Sequence, residues 1–370
     1  MNAFKGLYIH IPFCVRKCKY CDFVSFTDKA DFFDEYIDKL IIEANEYSSE
    51  KIDTVFIGGG TPSVLSAKQL KKLIIGITSI FKLADSCEFT IEINPKTLDE
   101  EKLRVLRNCG VNRLSVGVQS FCDKELEAIG RIHDAKTAYN TVELIKNYGF
   151  DNFNIDIMLG LPNQAKESLE HTLKTAVSLN PTHISCYSLI LEENTPLLLE
   201  YENGIYPTLS DEDDRELYSF AKAFLKNNNY EQYEISNFSK KGYSSKHNLK
   251  YWNCDEYIGL GVAAHSYIDG ERFYNTSDFK EYLNGNFHCE EKIMLSTEDK
   301  ISEYIIMRLR LSDGIFEEEF YKRFNKDFYL LYKNQLDNFI KSGFIKYENK
   351  AYKLSDKGIN VSNSIMCEFV

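Results

Sequence analysis

Leu7-Tyr8-Ile9-His10-Ile11-Pro12-Phe13-Cys14-Val15-Arg16-Lys17-Cys18-Lys19-Tyr20-Cys21 is a short strand-like run followed at once by three cysteines spaced C-x3-C-x2-C. Thiolates are the usual ligands of iron–sulfur clusters, which ordinarily take four. Three thiolates on one loop hold three irons of a cube and leave the fourth iron open. The amino and carboxylate groups of a bound methionine moiety can chelate that open iron. Arg16, Lys17 and Lys19 partly offset the negative charge of thiolates and sulfides. Two alternatives stand beside this reading: a zinc site with His10 as fourth ligand, or three unconnected thiols. Zinc favours repeated C-x2-C pairs, and no second pair follows here.

Outward from this loop, β-branched runs alternate with amphipathic stretches. The pattern predicts strands at Leu7–Ile11, Thr54–Ile57, Phe89–Ile93, Arg113–Val118, Asn154–Met158 and His183–Leu189. It predicts helices at Phe32–Tyr47, Ala67–Phe81, Glu100–Asn108, Ala135–Tyr148 and Lys166–Ser178. Phe33, Tyr36, Ile37, Leu40, Ile41 and Ala44 recur at spacings of three and four, a helix face. Strands separated by crossover helices read as a parallel α/β sheet; periodicity alone leaves open whether it curls toward a barrel or stays doubly wound. After Ile190 the pattern changes, with helix Asp211–Asn227, strand Tyr230–Ile235 and a polar stretch at 236–245. Helices at Lys300–Leu311, Glu317–Phe324 and Phe328–Lys341 then precede a hairpin of Gly343–Tyr347 and Ala351–Leu354, a winged-helix-like order. The predicted division is a core at 1–235, a linker or lid at 236–296, and a C-terminal module at 297–370. That module carries 12 Lys+Arg against 12 Asp+Glu, whereas a DNA-reading wing is basic, so docking or lid duty is expected of it.

Ile57-Gly58-Gly59-Gly60-Thr61-Pro62 follows the second strand, where glycines let backbone amides approach a ligand. Polar groups recur at later strand ends: Glu92 after the third, Gln119 after the fourth, Asp156 within the fifth. The C-terminal strand ends of parallel barrels form the active face. A carboxylate in a buried parallel strand costs desolvation unless it finds a partner. Arg131 offers a cation for a ligand carboxylate. Taken singly, these residues read equally as a cap, a satisfied core carboxylate and a surface arginine.

The chain has 56 acidic and 44 basic residues for a net charge of −12, a balance that disfavours nucleic acid as a partner. It shows no transmembrane run of about 18 apolar residues and no signal-peptide pattern, so a cytoplasmic protein is expected. Seven of its ten cysteines are scattered and read as small buried hydrophobes.

The opening Tyr8-Ile9-His10-Ile11-Pro12-Phe13-Cys14 with the two following cysteines resembles the radical-SAM family. More narrowly it resembles the branch holding oxygen-independent coproporphyrinogen oxidase and the HemW heme chaperones. The resemblance covers most of the chain and implies a partial (β/α)6 barrel. It implies a [4Fe–4S] cluster on Cys14, Cys18 and Cys21, and S-adenosyl-L-methionine contacts at Tyr8, Tyr20, Gly59, Gly60, Thr61, Glu92, Gln119, Arg131 and Asp156. Oxidases of this branch carry a fourth cysteine two residues after the third; here that position is Phe23. His247-Asn248-Leu249-Lys250-Tyr251-Trp252 resembles the chaperone motif H-N-x-x-Y-W, which implies heme on His247, with Tyr251 and Trp252 beside the macrocycle. A hydrogen-bonded histidine in an aromatic core is the alternative for His247. The resemblance thus implies a heme chaperone serving respiratory enzymes at the membrane, with a low-potential electron donor, and assigns no catalytic residue. The other reading is the oxidative decarboxylase acting on coproporphyrinogen III.

Overall fold

The computed structural model describes residues 4–370. Six parallel strands lie side by side in chain order: β1 (Lys5–Ile11), β2 (Lys51–Gly59), β3 (Lys82–Ile93), β4 (Arg113–Gln119), β5 (Phe153–Leu159) and β6 (His183–Ser188). Parallel neighbours need crossovers, and helices Phe33–Ala44, Ala67–Ile80, Glu100–Asn108, Ala135–Asn147 and Lys166–Ser178 supply them. Their starts are written in cap residues. Ser66 and Gln69 form a capping box, and the side chains of Asp99 and Asp134 accept from Lys102 N and Thr137 N.

Along each strand, side chains alternate between two faces. One set, Leu7, Ile9, Ile11, Val55, Ile57, Ile91, Leu114, Val116, Ile155 and Ile157, is wholly buried in the main apolar core. The other set, which includes His10, Thr90, Glu92, Arg113, Ser115, Asn154, Asp156 and His183, turns inward and is polar. The sheet therefore curls around a polar interior with a greasy outside that the helices cover.

The curl does not close. The second neighbour of β1 is β9 (Tyr257–Leu260), parallel to it from Gly6↔Tyr257 to Ile9↔Leu260, so β1 and β6 never meet. Beyond β6 lie β8 (Asn237–Ser239) and β7 (Glu231–Glu234); beyond β9 lie β10 (His265–Ile268), β11 (Glu271–Asn275) and β12 (His288–Met294). Residues 236–296, expected as a linker or lid, contribute five short strands that prolong the barrel wall, β8 on one flank and β9 to β12 on the other. Buried Glu43 ties this extension down, accepting from Tyr282 Oη (2.5 Å), Asn275 Nδ2 (2.6 Å) and the Gly261 amide (2.9 Å). Burial pushes its carboxyl up to about 7. Helix Lys246–Trp252 packs under the barrel at the N-terminal strand ends, where the His247 ring stacks on Phe56 with centroids 5.3 Å apart.

The C-terminal part has its own core, built around Ile305, Phe320, Phe328, Leu336, Tyr352 and Phe369. Its small sheet has the order β13 (Ile315–Phe316), β15 (Ala351–Leu354), β14 (Ile345–Glu348). The helix predicted over Phe328–Lys341 is broken at Tyr332, where φ is −122°. Two short helices beyond the hairpin, Asp356–Ile359 and Ser362–Cys367, were not foreseen. The scattered cysteines were not uniformly buried either: Cys186 and Cys254 are, Cys87, Cys109 and Cys122 are half-buried, and Cys367 is exposed. The side chain of Cys289 lies outside the described residues.

Candidate functional site

The cysteine loop leaves β1 at Ile11 and is pinned at its neck, where Phe26 N donates to Pro12 O (2.7 Å) and Cys14 N to Phe26 O (3.0 Å). Cys14, Cys18 and Cys21 are free thiols that line one cavity at the C-terminal mouth of the barrel. Cys14 Sγ lies 3.5 Å from Thr61 Oγ1, and Cys18 Sγ accepts from Arg131 Nη1 at 3.5 Å. Burial raises the Cys14 thiol and pushes the Cys21 thiol up to about 11. Among the described residues no three His, Cys, Asp or Glu side chains converge on a point fit for a single ion.

Tyr20, Gly59, Gly60, Thr61, Glu92, Gln119, Arg131 and Asp156 line the same cavity. Glu92 Oε2 accepts from Gly59 N (3.1 Å), and Asp156 Oδ1 from Asn154 Nδ2 (2.6 Å). Burial, and then the nearby Asp156, push the Glu92 carboxyl up to about 8; burial also raises Asp156. Gln119 ends β4 in the left-handed region at φ 72° and accepts from Tyr187 Oη at 3.2 Å. Arg131 donates to the Gly117 carbonyl, and its buried Nε has no partner. An unused donor beside three thiols and two carboxyls raised by burial fits a ligand that brings a carboxylate and a positive charge.

Three of the expected groups sit differently from what the resemblance implies. Tyr8 does not line the cavity: its hydroxyl bonds His10 Nδ1 (2.9 Å), one layer deeper. The glycine turn offers no spare amides, because Gly59 N is held by Glu92, Gly60 N by Ile11 O (2.9 Å) and Thr61 N by Phe13 O (2.8 Å). Glycine is needed there for closeness, since a Cβ on Gly60 would stand 2.8 Å from Phe13 O and 2.9 Å from Ile11 O. Finally, His247 is 1% exposed in the barrel floor. Its Nδ1 bonds Thr54 Oγ1 and its Nε2 bonds Tyr251 Oη, each at 2.9 Å, and burial pushes it down to about 3. Neither ring nitrogen is open to a heme iron. The sequence reasoning also missed Ser115, Gly117 and Tyr187 in the cavity wall. Tyr187 was signalled by the alternation His183, Ser185, Tyr187 along β6.

The radical SAM superfamily profile matches residues 8–176, and the HemN C-terminal domain profile matches residues 295–361. The chain is 37% identical to the heme chaperone HemW of Bacillus subtilis over 99% of each chain. It is 34% identical to the heme chaperone HemW of Escherichia coli, over 98% of this chain and 97% of that one. The structure matches coproporphyrinogen III oxidase (HemN) of Escherichia coli, a radical SAM enzyme, with a TM-score of 0.86 over 99% of this chain and 90% of that one. Sequence identity to it is 23%, so that likeness is one of fold. With full-length relatives above 30% identity and a barrel mouth ringed by three cysteines, the chain belongs to the HemW heme-chaperone family of the radical-SAM superfamily.

Proposed function

We propose that this protein is a heme chaperone that carries a [4Fe–4S] cluster and S-adenosylmethionine and hands heme to respiratory enzymes. The observation that carries the reading is the three-thiol cavity in a chain related end to end to heme chaperones. Phe23, 63% exposed, stands where the oxidase branch has its fourth cysteine. Cys14, Cys18 and Cys21 would hold the cluster, which supplies an electron to a bound sulfonium. Arg131 neutralises thiolate charge at Cys18 and keeps its Nε–H for the carboxylate of the methionine end. Glu92, pushed up to about 8, holds a proton that it can give up as a cationic ligand enters, and burial raises Asp156 in the same direction, so both carboxyls can serve as acceptors for its polar groups. The heme acceptors of this reading are enzymes at the membrane; among the described residues of this chain no helix is long and apolar enough to cross one. A low-potential donor supplies the electron.

The test is anaerobic reconstitution with iron and sulfide, followed by heme titration and by incubation with coproporphyrinogen III, S-adenosylmethionine and a reductant. Iron–sulfur absorption, heme uptake and no vinyl product are expected. Steady vinyl-product formation would falsify the chaperone reading in favour of the decarboxylase. Colourless protein carrying zinc would remove both.

A further inference from the structure

The seam between the barrel and the C-terminal part holds a second cavity of about 540 Å³, within the range of roughly 300–1,000 Å³ typical of small-molecule sites. Tyr187 stands in the wall it shares with the cysteine cavity. Of eleven buried side-chain polar atoms without a hydrogen-bond partner among the described residues, four belong to residues lining this one cavity. They are Glu234 Oε2, Asn237 Oδ1, Trp252 Nε1 and Arg310 Nε. Glu234 and Asn237 are 1% and 7% exposed. Buried polar groups are nearly always paired, so four orphans on one cavity mark a place where a ligand and its waters complete the set.

The chemistry of the wall narrows that ligand. The Arg310 guanidinium lies 4.6 Å over the Trp252 ring, and its Nη2 is 3.6 Å from Glu234 Oε2, too long to be a spent hydrogen bond. Arg310 Nε–H and Trp252 Nε1–H are thus two unpartnered donors on side chains that line the cavity, and the part-exposed guanidinium suits a carboxylate. Tyr187 in the shared wall and Ile190, 67% exposed, add apolar lining. We propose that the seam cavity binds a planar macrocycle bearing carboxylate side chains, received by Arg310 and Trp252, with its apolar edge against Tyr187 and Ile190. The inference rests on the chaperone reading, under which the macrocycle is heme, held here and not at His247.

The test is a heme titration by difference absorption on the reconstituted full chain, with heme and with its propionate dimethyl ester. Loss of a charge-assisted bond predicts that Arg310→Gln weakens heme binding roughly tenfold or more. Arg310→Lys should restore part of it, and the cluster absorption should stay as it was. The ester should bind the unaltered protein as weakly as heme binds Arg310→Gln, and that variant should no longer tell ester from acid. Equal binding of heme and ester by the unaltered protein overturns the seam site, and this arm needs no variant to fold. Glu234→Gln combined with Arg310→Gln avoids leaving a lone buried carboxylate and should show the same loss; unchanged affinity there also overturns the site. If the unaltered protein takes up no heme at all, the chaperone reading falls and the site falls with it.

Discussion

Arg131 Nη1 lies 3.5 Å from Cys18 Sγ, while Nη2 of the same guanidinium donates to the carbonyl of Gly117. One side chain thereby fastens the cysteine loop to the inner face of the fourth strand. A planar fork can serve both partners at once, and an ammonium cannot. Arg131→Lys should therefore lower S-adenosylmethionine affinity by about tenfold and reduce iron retained after reconstitution. Equilibrium dialysis and iron counts check this; parity with the unaltered protein in both removes Arg131 from the site.

Glu92 gives the apoprotein a pH signature. Its carboxyl titrates at about 8 in the folded chain against an ordinary 4.5. Between those values the unfolded chain has shed a proton that the folded chain keeps, so stability falls as pH rises through the window. One group contributes a slope of up to about 1.4 kcal/mol per pH unit. Glu92→Gln should melt higher than the unaltered apoprotein at pH 8 and gain little at pH 4.5. A melting difference that stays flat across the window contradicts the assignment.

Gly60→Ala places a methyl group 2.8–2.9 Å from three backbone atoms of Ile11 and Phe13. Backbone cannot give way as a flexible side chain does, so the loop must part from β1 at a cost of roughly 1–3 kcal/mol. Thermal stability and cluster yield should fall together, because the same loop carries Thr61 beside Cys14. A variant that melts normally and reconstitutes fully would show that the turn has slack.

His247→Ala removes a ring with both nitrogens engaged, leaving Thr54 and Tyr251 unpartnered in the barrel floor. A loss of roughly 2–4 kcal/mol in unfolding free energy is expected. Heme affinity of the folded protein should change by less than about twofold. A clean loss of heme with unchanged melting would reinstate this histidine as a ligand.

Much of this protein was legible in its residues because the signals are local. Helices Glu100–Asn108, Lys166–Ser178, Asp211–Asn227 and Glu317–Phe324 run where periodicity and caps predict them. The six parallel strands fall within a few residues of expectation, apart from the longer start of β3 at Lys82. The cysteine spacing likewise led to one cavity lined by all three thiols. What escaped depends on distant partners. The ring of His247 meets Thr54 from 193 residues away, and no spacing distinguishes that contact from an open coordination site. The glycine amides of 59 and 60 were spent on a strand end and a carboxylate that only the folded sheet brings near. The strands of 257–294 are short and half polar, yet one clue was readable. Asp269-Gly270, with φ of 52° and 83°, is a tight hairpin turn between β10 and β11.

The helix Lys246–Trp252 beneath the barrel has a consequence for air sensitivity. With His247 and Tyr251 wedged among the lower side chains, the vessel is stoppered at its base. The cysteine loop at the other end is where Val15 and Phe23 stand exposed to solvent, beside the mouth through which dioxygen, reductant and nucleoside would reach a cluster on the three thiols. A partner docked on that loop would govern how long such a cluster survives in air.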